Sequence, residues 1–493
     1  MPSTSTRDER GPSGALDPRP RPRGWLDALV TERARPSRIR RRPDAWWFAV
    51  GTVCFGAFMG QLDASVVTLT YGPLRSDFHL PLAAVQWVSL SYLLTLIALL
   101  VPIGRVADAR GRKLTYLYGF AVFTLASAAC GLAPSLPALI AFRVAQAVGA
   151  AMLQANSVAL VATAAPAGRV RSALGVQAAA QALGLALGPT VGGVMVATIG
   201  WRWVFGVNVP VGLLALVAGY YLLPRTRQRT SLASLDLPGV GLLATATTAA
   251  LLAISIAAGL GAPSWTVAAL PVAAAGAGWG FVRWQRRARD PLLDLAMLRI
   301  RAVSAGLAGA LFGYLTLFGP LVLVPVTLAA TGTPPIVAGL VLTALPGGLC
   351  LAATLADRLL PAGWDDRTRG RVGAAISTLA LGLLTVTGVG VLPAALLLGL
   401  LGLGLGLFAP ANNAQIMTAV PAASAGTGGA LVSMARAVGT AVGIAVVTLG
   451  LHLAGESAAP HPRPALLTLT ASALLTLVFA LLGPGGRRLS AVR

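Results

Sequence analysis

One acid stands apart in this chain of 493 residues. Of its sixteen Asp and Glu, six fall in the first 45 residues and nine at the edges of apolar runs or between them, whereas Asp63 lies deep inside one. A carboxyl group in hydrocarbon is costly and must face a cavity or a partner. Burial favours its neutral form, so it is suited to binding and releasing a proton or holding a cation. The alternative is a structural partner in a hydrogen bond or ion pair. Two arginines are embedded in the same manner, Arg143 and Arg436. A guanidinium stays charged, so each needs an acid, backbone carbonyls or water. Arg143 is followed by Gln146, Gln154 and Ser157 on roughly one helical face. It is a candidate to tune the proton affinity of Asp63, against a purely structural role, and the same two readings hold for Arg436.

Several further polar residues lie within apolar runs: Gln61, Gln86, Tyr92, Gln177, Gln181, Asn412, Asn413 and Gln415. They either line a wet cavity or hydrogen-bond between helices. Together with Gln146 and Arg436, the set Gln61, Gln86, Tyr92, Gln181 and Asn412 is the candidate lining of a substrate cavity. The run Gly184-x3-Gly188-Pro189-x2-Gly192-Gly193 puts small residues on one helical face beside a proline. That combination lets helices approach closely and bend, and predicts a packed hinge between two halves. A charged turn runs from Gly104 through Arg105, Asp108, Arg110, Gly111 and Arg112 to Lys113, and a weaker echo begins at Asp357.

The elements that position these residues follow from composition. Hydrophobic residues make up 56% and charged residues 11% of the chain, with mean hydropathy +0.76. A span needs about 20 apolar residues, and fourteen such runs can be marked, from 46–70 to 465–483. Helices are expected, because in lipid each backbone group must be satisfied within its own segment and a barrel would show short alternating strands. The expected organisation is a disordered basic cytoplasmic tail over 1–45, with eleven Arg and seven Pro. A six-helix bundle over 46–223, two linking spans and loops over 224–302, a second six-helix bundle over 303–483 and a tail over 484–493 follow.

Placing the N-terminus in the cytoplasm assigns 33 of the 38 Lys and Arg to cytoplasmic loops and tails. Three then lie outside (Arg75, Arg202, Arg463) and two in spans. This is the positive-inside pattern of a cytoplasmic-membrane protein with both termini inside. It also accounts for the net charge of +22 without nucleic acid. Cys54, Cys130 and Cys350 lie in apolar runs with no metal or disulfide spacing. No P-loop, HExxH or GxSxG occurs, so no enzyme is implied. No cofactor or metal is expected, and uphill transport would draw on an ion gradient.

In order along the chain, these motifs resemble the major facilitator superfamily, and within it the fourteen-span drug:proton antiporter branch. The resemblance rests on Leu62-Asp63-Ala64-Ser65, Gln86-Trp87, the turn from Gly104 to Lys113 and the stretch from Arg143 to Gly149. It extends to Gly184 to Gly193, Trp201-Arg202-Trp203-Val204-Phe205, Asn208-Val209-Pro210, and Arg436 with Gly439 and Gly443. It implies two six-helix bundles rocking about a central cavity, with two extra spans, fourteen in all. Asp63 would carry the proton with Arg143, while Gly104, Asp108, Gly111 and Arg112 would form a cytoplasmic gate. Two departures stand out: Ala109 follows Asp108 where arginine is usual, and the end of the ninth run, Val324-Pro325-Val326-Thr327-Leu328-Ala329, is apolar where relatives carry Tyr and Gln. The expected activity is proton-coupled export of a small hydrophobic or amphiphilic molecule by a monomer in the bilayer. Uptake by symport or uniport, and a non-transporting receptor, are the alternatives.

Overall fold

The computed structural model describes residues 32 and 34–483 apart from 167–168, 227–235, 294, 360, 362–363, 421–424 and 456–460. The terminal segments 1–31 and 484–493, and Asp294, lie outside the described residues. Among those described there is no strand, and fourteen long helices follow one another. They are α1 (Ala45–Val66), α2 (Trp87–Arg110), α3 (Arg112–Gly131), α4 (Leu136–Ala164), α5 (Val170–Thr198), α6 (Asn208–Leu222) and α7 (Leu237–Ala257). After these come α8 (Thr266–Gln285), α9 (Arg301–Ala330), α10 (Pro335–Leu359), α11 (Asp366–Thr387), α12 (Val391–Ala419), α13 (Ala425–Ala454) and α14 (Arg463–Leu482). Each coincides with an apolar run, as internal satisfaction of the backbone requires. Twelve of the helical stretches are long and apolar enough to cross a membrane; the described part of α5 is shorter, and α8 is not among the twelve. The chain is a multi-pass membrane protein.

Packing reveals the internal repeat. In the first six helices, α1 packs on α4, α5 and α6, α4 on α2 and α3, and α3 on α6. The same pairings recur eight helices later: α9 on α12, α13 and α14, α12 on α10 and α11, and α11 on α14. The groups meet along two seams, α5 with α10 and α2 with α13, which the repeat interchanges. Helices α7 and α8 form a hairpin, with α7 lying against α2 and α13.

Loops at the arginine-rich end are tied by a few polar residues. Gly111 joins α2 to α3 with φ 123°, a conformation open to glycine. Asp236 caps α7 and accepts four hydrogen bonds: from the Gly239 N–H (2.9 Å), Trp284 Nε1 (2.6 Å), Gln285 Nε2 (2.6 Å) and the Leu292 N–H (3.1 Å). Burial pushes its carboxyl up, but these donors outweigh it and hold the group below the usual carboxylate range.

The basic tail departs from the expectation of disorder where it is described. Glu32 is buried, and its carboxylate accepts from the Leu114 N–H (3.3 Å), the Thr226 N–H (2.6 Å) and Thr226 Oγ1 (2.8 Å). Thr226 Oγ1 accepts in turn from the Arg112 N–H at 3.0 Å, and Arg35 Nε donates to the Leu222 carbonyl at 2.5 Å. Residues Ser37–Arg40 form a helical turn. An acid that satisfies exposed N–H groups at the start of α3 is stabilising there, which a reading of arginine and proline content overlooks. Replacing Glu32 with alanine is expected to lower stability by about 1–3 kcal/mol, the scale of hydrogen bonds to a charged group. Thermal unfolding of the detergent-solubilised protein measures this.

Candidate functional site: a sealed ion pair beside a central cavity

Asp63 and Arg143 form a fully buried ion pair, Arg143 Nη1 to Asp63 Oδ2 at 2.6 Å, with side-chain exposures of 0% and 1%. The other carboxylate oxygen accepts from Gln146 Nε2 and Asn208 Nδ2, each at 3.0 Å. Gln146 Nε2 also donates to Ser127 Oγ (2.7 Å), and Gln146 Oε1 accepts from Arg143 Nη1 (2.5 Å). Arg143 Nε donates to the Val88 carbonyl at 2.9 Å. Five helices therefore converge on one pair of charges: α1, α2, α3, α4 and α6. The guanidinium lies between two rings, 4.2 Å from the centroid of Tyr92 and 5.7 Å from that of Phe205. A buried pair is stable when its remaining hydrogen-bonding capacity is filled, and here several donors and acceptors do so.

Beside the pair lies a cavity of about 200 Å3 between the two groups of helices. The first group contributes Gln61, Tyr92, Gln154, Ser157, Gln177 and Gln181; the second contributes Tyr314, Phe318, Ser433, Arg436 and Thr440. Gln61, Tyr92, Gln181 and Arg436 thus stand where the sequence puts them. Asp63 does not line this cavity. Tyr92, which does, forms the wall between it and Arg143. Of the two surroundings expected for this carboxyl, a cavity or a partner, this conformation shows the partner: Asp63 is paired and enclosed.

Three of the expected lining residues are placed elsewhere. Gln146 is consumed by the ion pair. Gln86 donates to Ser255 Oγ at 3.0 Å, tying the start of α2 to α7. Asn412 donates to the Gly306 carbonyl at 2.9 Å, tying α12 to α9. Their type revealed that they were buried, but not which helix they face.

The glycine run is divided between two tasks. Gly184, Gly188 and Gly192 face α1 within the same group of helices, at Phe58, Ser65 and Val66. A side chain at Gly188 would collide with Ser65 Oγ, so α1 and its acid are held against α5 by the absence of a Cβ. Gly193 faces the other group: a Cβ there would lie 3.2 Å from the Gly339 Cα and 3.0 Å from the Pro335 carbonyl oxygen. Within the run it is Gly193 and Pro189, whose carbonyl oxygen would lie 2.5 Å from a Cβ at Gly339, that belong to the junction between halves. Beyond it, at the end opposite the arginine-rich loops, is a second cavity of about 920 Å3 whose lining includes Arg75, Pro325, Thr327 and His452.

In the charged turn, Asp108 Oδ1 accepts from Arg112 Nε at 2.7 Å, a half-buried i,i+4 pair within the motif. It is Arg105 that reaches away, donating to the carbonyls of Asp290 (3.2 Å) and Pro291 (2.7 Å) ahead of α9. At Gly104 a Cβ would meet Ala155 at an ordinary 3.9 Å. Sequence reasoning also missed Ser127, Asn208, Phe205 and Tyr314. The first three fill out the surroundings of the ion pair, and two of these, Asn208 and Phe205, lie in the Trp201–Pro210 motif. Trp201 anchors that motif by donating to Asp77 Oδ2 at 2.7 Å.

The sequence profile of the Major Facilitator Superfamily matches residues 53–444. The chain belongs to this superfamily of transporters. It is 33% identical over 431 residues to the tetracenomycin C resistance and export protein of Streptomyces glaucescens, covering 85% of this chain and 78% of that one. It is 33% identical over 430 residues to the multidrug resistance protein Stp of Mycobacterium tuberculosis, covering 83% and 78%. The crystal structure of a D-xylose-proton symporter shares the fold, with TM-score 0.63 at 15% identity over 88% of this chain and 96% of that one. The family and these relatives are transporters or resistance proteins, not enzymes, in agreement with the absence of catalytic motifs.

Two outcomes follow for stability. Asp63→Leu and Arg143→Met singly are each expected to cost about 3–5 kcal/mol, because each leaves a buried charge unpaired, while the double variant recovers most of the loss. A double-mutant cycle of thermal unfolding reads this. Gly188→Ala is expected to cost about 1–3 kcal/mol by overpacking, with Ser65→Gly as its suppressor.

Proposed function

We infer that this chain exports a small amphiphilic molecule in exchange for protons. In this reading all fourteen helices cross the cytoplasmic membrane: two bundles, α1–α6 and α9–α14, plus the α7–α8 hairpin. The arginine-rich loops lie in the cytoplasm. Residues 46–223 and 303–483 rock against each other as a monomer, and Gly193 with Gly339 marks one seam. The pair Asp108 and Arg112, with Gly104 and Gly111, shapes the turn on the cytoplasmic side, and Arg105 links it to the second half.

The observation that carries the reading is the Asp63–Arg143 pair closed off behind Tyr92. Protonating Asp63 removes the charge that balances Arg143. An unbalanced buried guanidinium is unfavourable by several kcal/mol, a penalty relieved when the helices around it rearrange and admit water or substrate. Proton binding and lobe movement are thereby made to depend on each other, with the Tyr92–Arg143 stack as the part that must open. The export direction is supported by the resistance and export proteins to which the chain is similar. No cofactor takes part; the gradient is the energy source. A charge crossing 100 mV releases about 2.3 kcal/mol, enough for roughly a 50-fold concentration ratio.

The test uses everted membrane vesicles and a compound found by a resistance screen in an exporter-deficient strain. With an acidic lumen, the wild-type protein is expected to accumulate the compound. Asp63→Asn is expected to lose gradient-driven accumulation while retaining exchange of labelled for unlabelled compound. Undiminished accumulation by that variant removes Asp63 from the coupling, and accumulation that requires the reverse gradient establishes symport instead.

A further inference from the structure

The central cavity has a charge of its own. Among the described residues that line it, Arg436 carries the single formal charge, and no acid is present. Asp63, the obvious counter-charge, is spent on Arg143 and does not reach the cavity. Arg436 makes no ion pair among the described residues; its guanidinium rests 5.1 Å from the centroid of the Tyr314 ring, and its Nε has no hydrogen-bond partner. Two other lining groups are likewise buried and unpartnered: the Tyr92 hydroxyl and Gln177 Oε1, on side chains 2% and 3% exposed. Buried polar atoms are nearly always satisfied, and exceptions call for a reason. Here three such atoms, of a cationic donor, a hydroxyl and an amide acceptor, belong to residues that line one cavity. The rings of Tyr314 and Phe318 give it an apolar wall.

We propose that the preferred substrates are anionic amphiphiles, flat apolar bodies bearing a carboxylate or phenolate for Arg436 and a hydroxyl that donates to Gln177. This rests on the cavity being the transport site. A cation would meet Arg436 with no acid to offset it, and like-charge juxtaposition in a partly enclosed site is costly. An anion gains a charge-assisted hydrogen bond and satisfies a donor that the fold leaves open. The Tyr92 hydroxyl can join a ligand oxygen, which places the ligand against the ring that covers Arg143.

Equilibrium dialysis of the purified full-length protein against three matched probes tests this: 6-hydroxy-2-naphthoate, its neutral amide and the corresponding naphthylmethylammonium. The anion is expected to bind about tenfold or more tighter than the cation, the scale of one charge-assisted hydrogen bond. Arg436→Gln should erase that preference while leaving the neutral amide bound as before, which shows the cavity intact. Removing the probe's hydroxyl should weaken the wild type roughly threefold to tenfold and make no difference in Gln177→Leu. Equal or tighter binding of the ammonium, or undiminished binding of the naphthoate to Arg436→Gln, overturns the anion preference and leaves export standing. Binding of none of the three overturns both the preference and the cavity as the transport site.

Discussion

A charge in the interior of a membrane protein has no water to fall back on, and most of the first half of this molecule can be read as an answer to that condition. Arg143 and Asp63 satisfy each other at 2.6 Å, but one bond does not fill a guanidinium or a carboxylate. The remainder comes from Val88, Gln146 and Asn208, with Ser127 holding Gln146 in place. Each of these sits on a different helix or a different turn, so the helices cannot shift independently without stranding a charge. The glycine face of α5 serves the same end, because it brings α1 close enough for the acid to be enclosed.

The second half follows the same helix pairings without the same electrostatics. Arg436 is embedded in α13, but among the described residues it finds an aromatic face rather than an acid. The repeat thus carries architecture in both copies and a balanced buried pair in the first. That asymmetry makes the cavity between them chemically two-sided: glutamine amides and a tyrosine hydroxyl on one wall, a cation and an aromatic ring on the other.

The legible part of this molecule was the part governed by hydrophobicity and by rarity. Each of the fourteen apolar runs is a helix in the structure, and for the twelve stretches long and apolar enough to cross a membrane, lipid leaves the backbone few other arrangements. Asp63 and Arg143 were conspicuous because charged residues seldom occur within such runs. Gln86, Gln146 and Asn412 resisted the same treatment. In a helix surrounded by lipid on one side and by apolar neighbours on the other, the sequence shows little periodic contrast to say which way a glutamine points. Asn208 and Ser127 were hidden for a related reason, since each finds its partner on another helix, Asp63 for Asn208 and Gln146 for Ser127. Glu32 was concealed by its surroundings, a lone useful acid in a stretch whose arginines and prolines suggest no structure at all.

The α7–α8 hairpin makes the two seams unequal. By the repeat, α2–α13 and α5–α10 are equivalent, yet α7 leans on the former and leaves the latter without a comparable cover. A greasy solute that has dissolved among the acyl chains therefore meets a molecule with one shuttered flank and one bare one. The bare flank is closed by the backbones themselves: at Gly193 and Gly339 a Cβ on either helix would lie 3.2 Å from the other's Cα, so α5 and α10 leave no gap between them there.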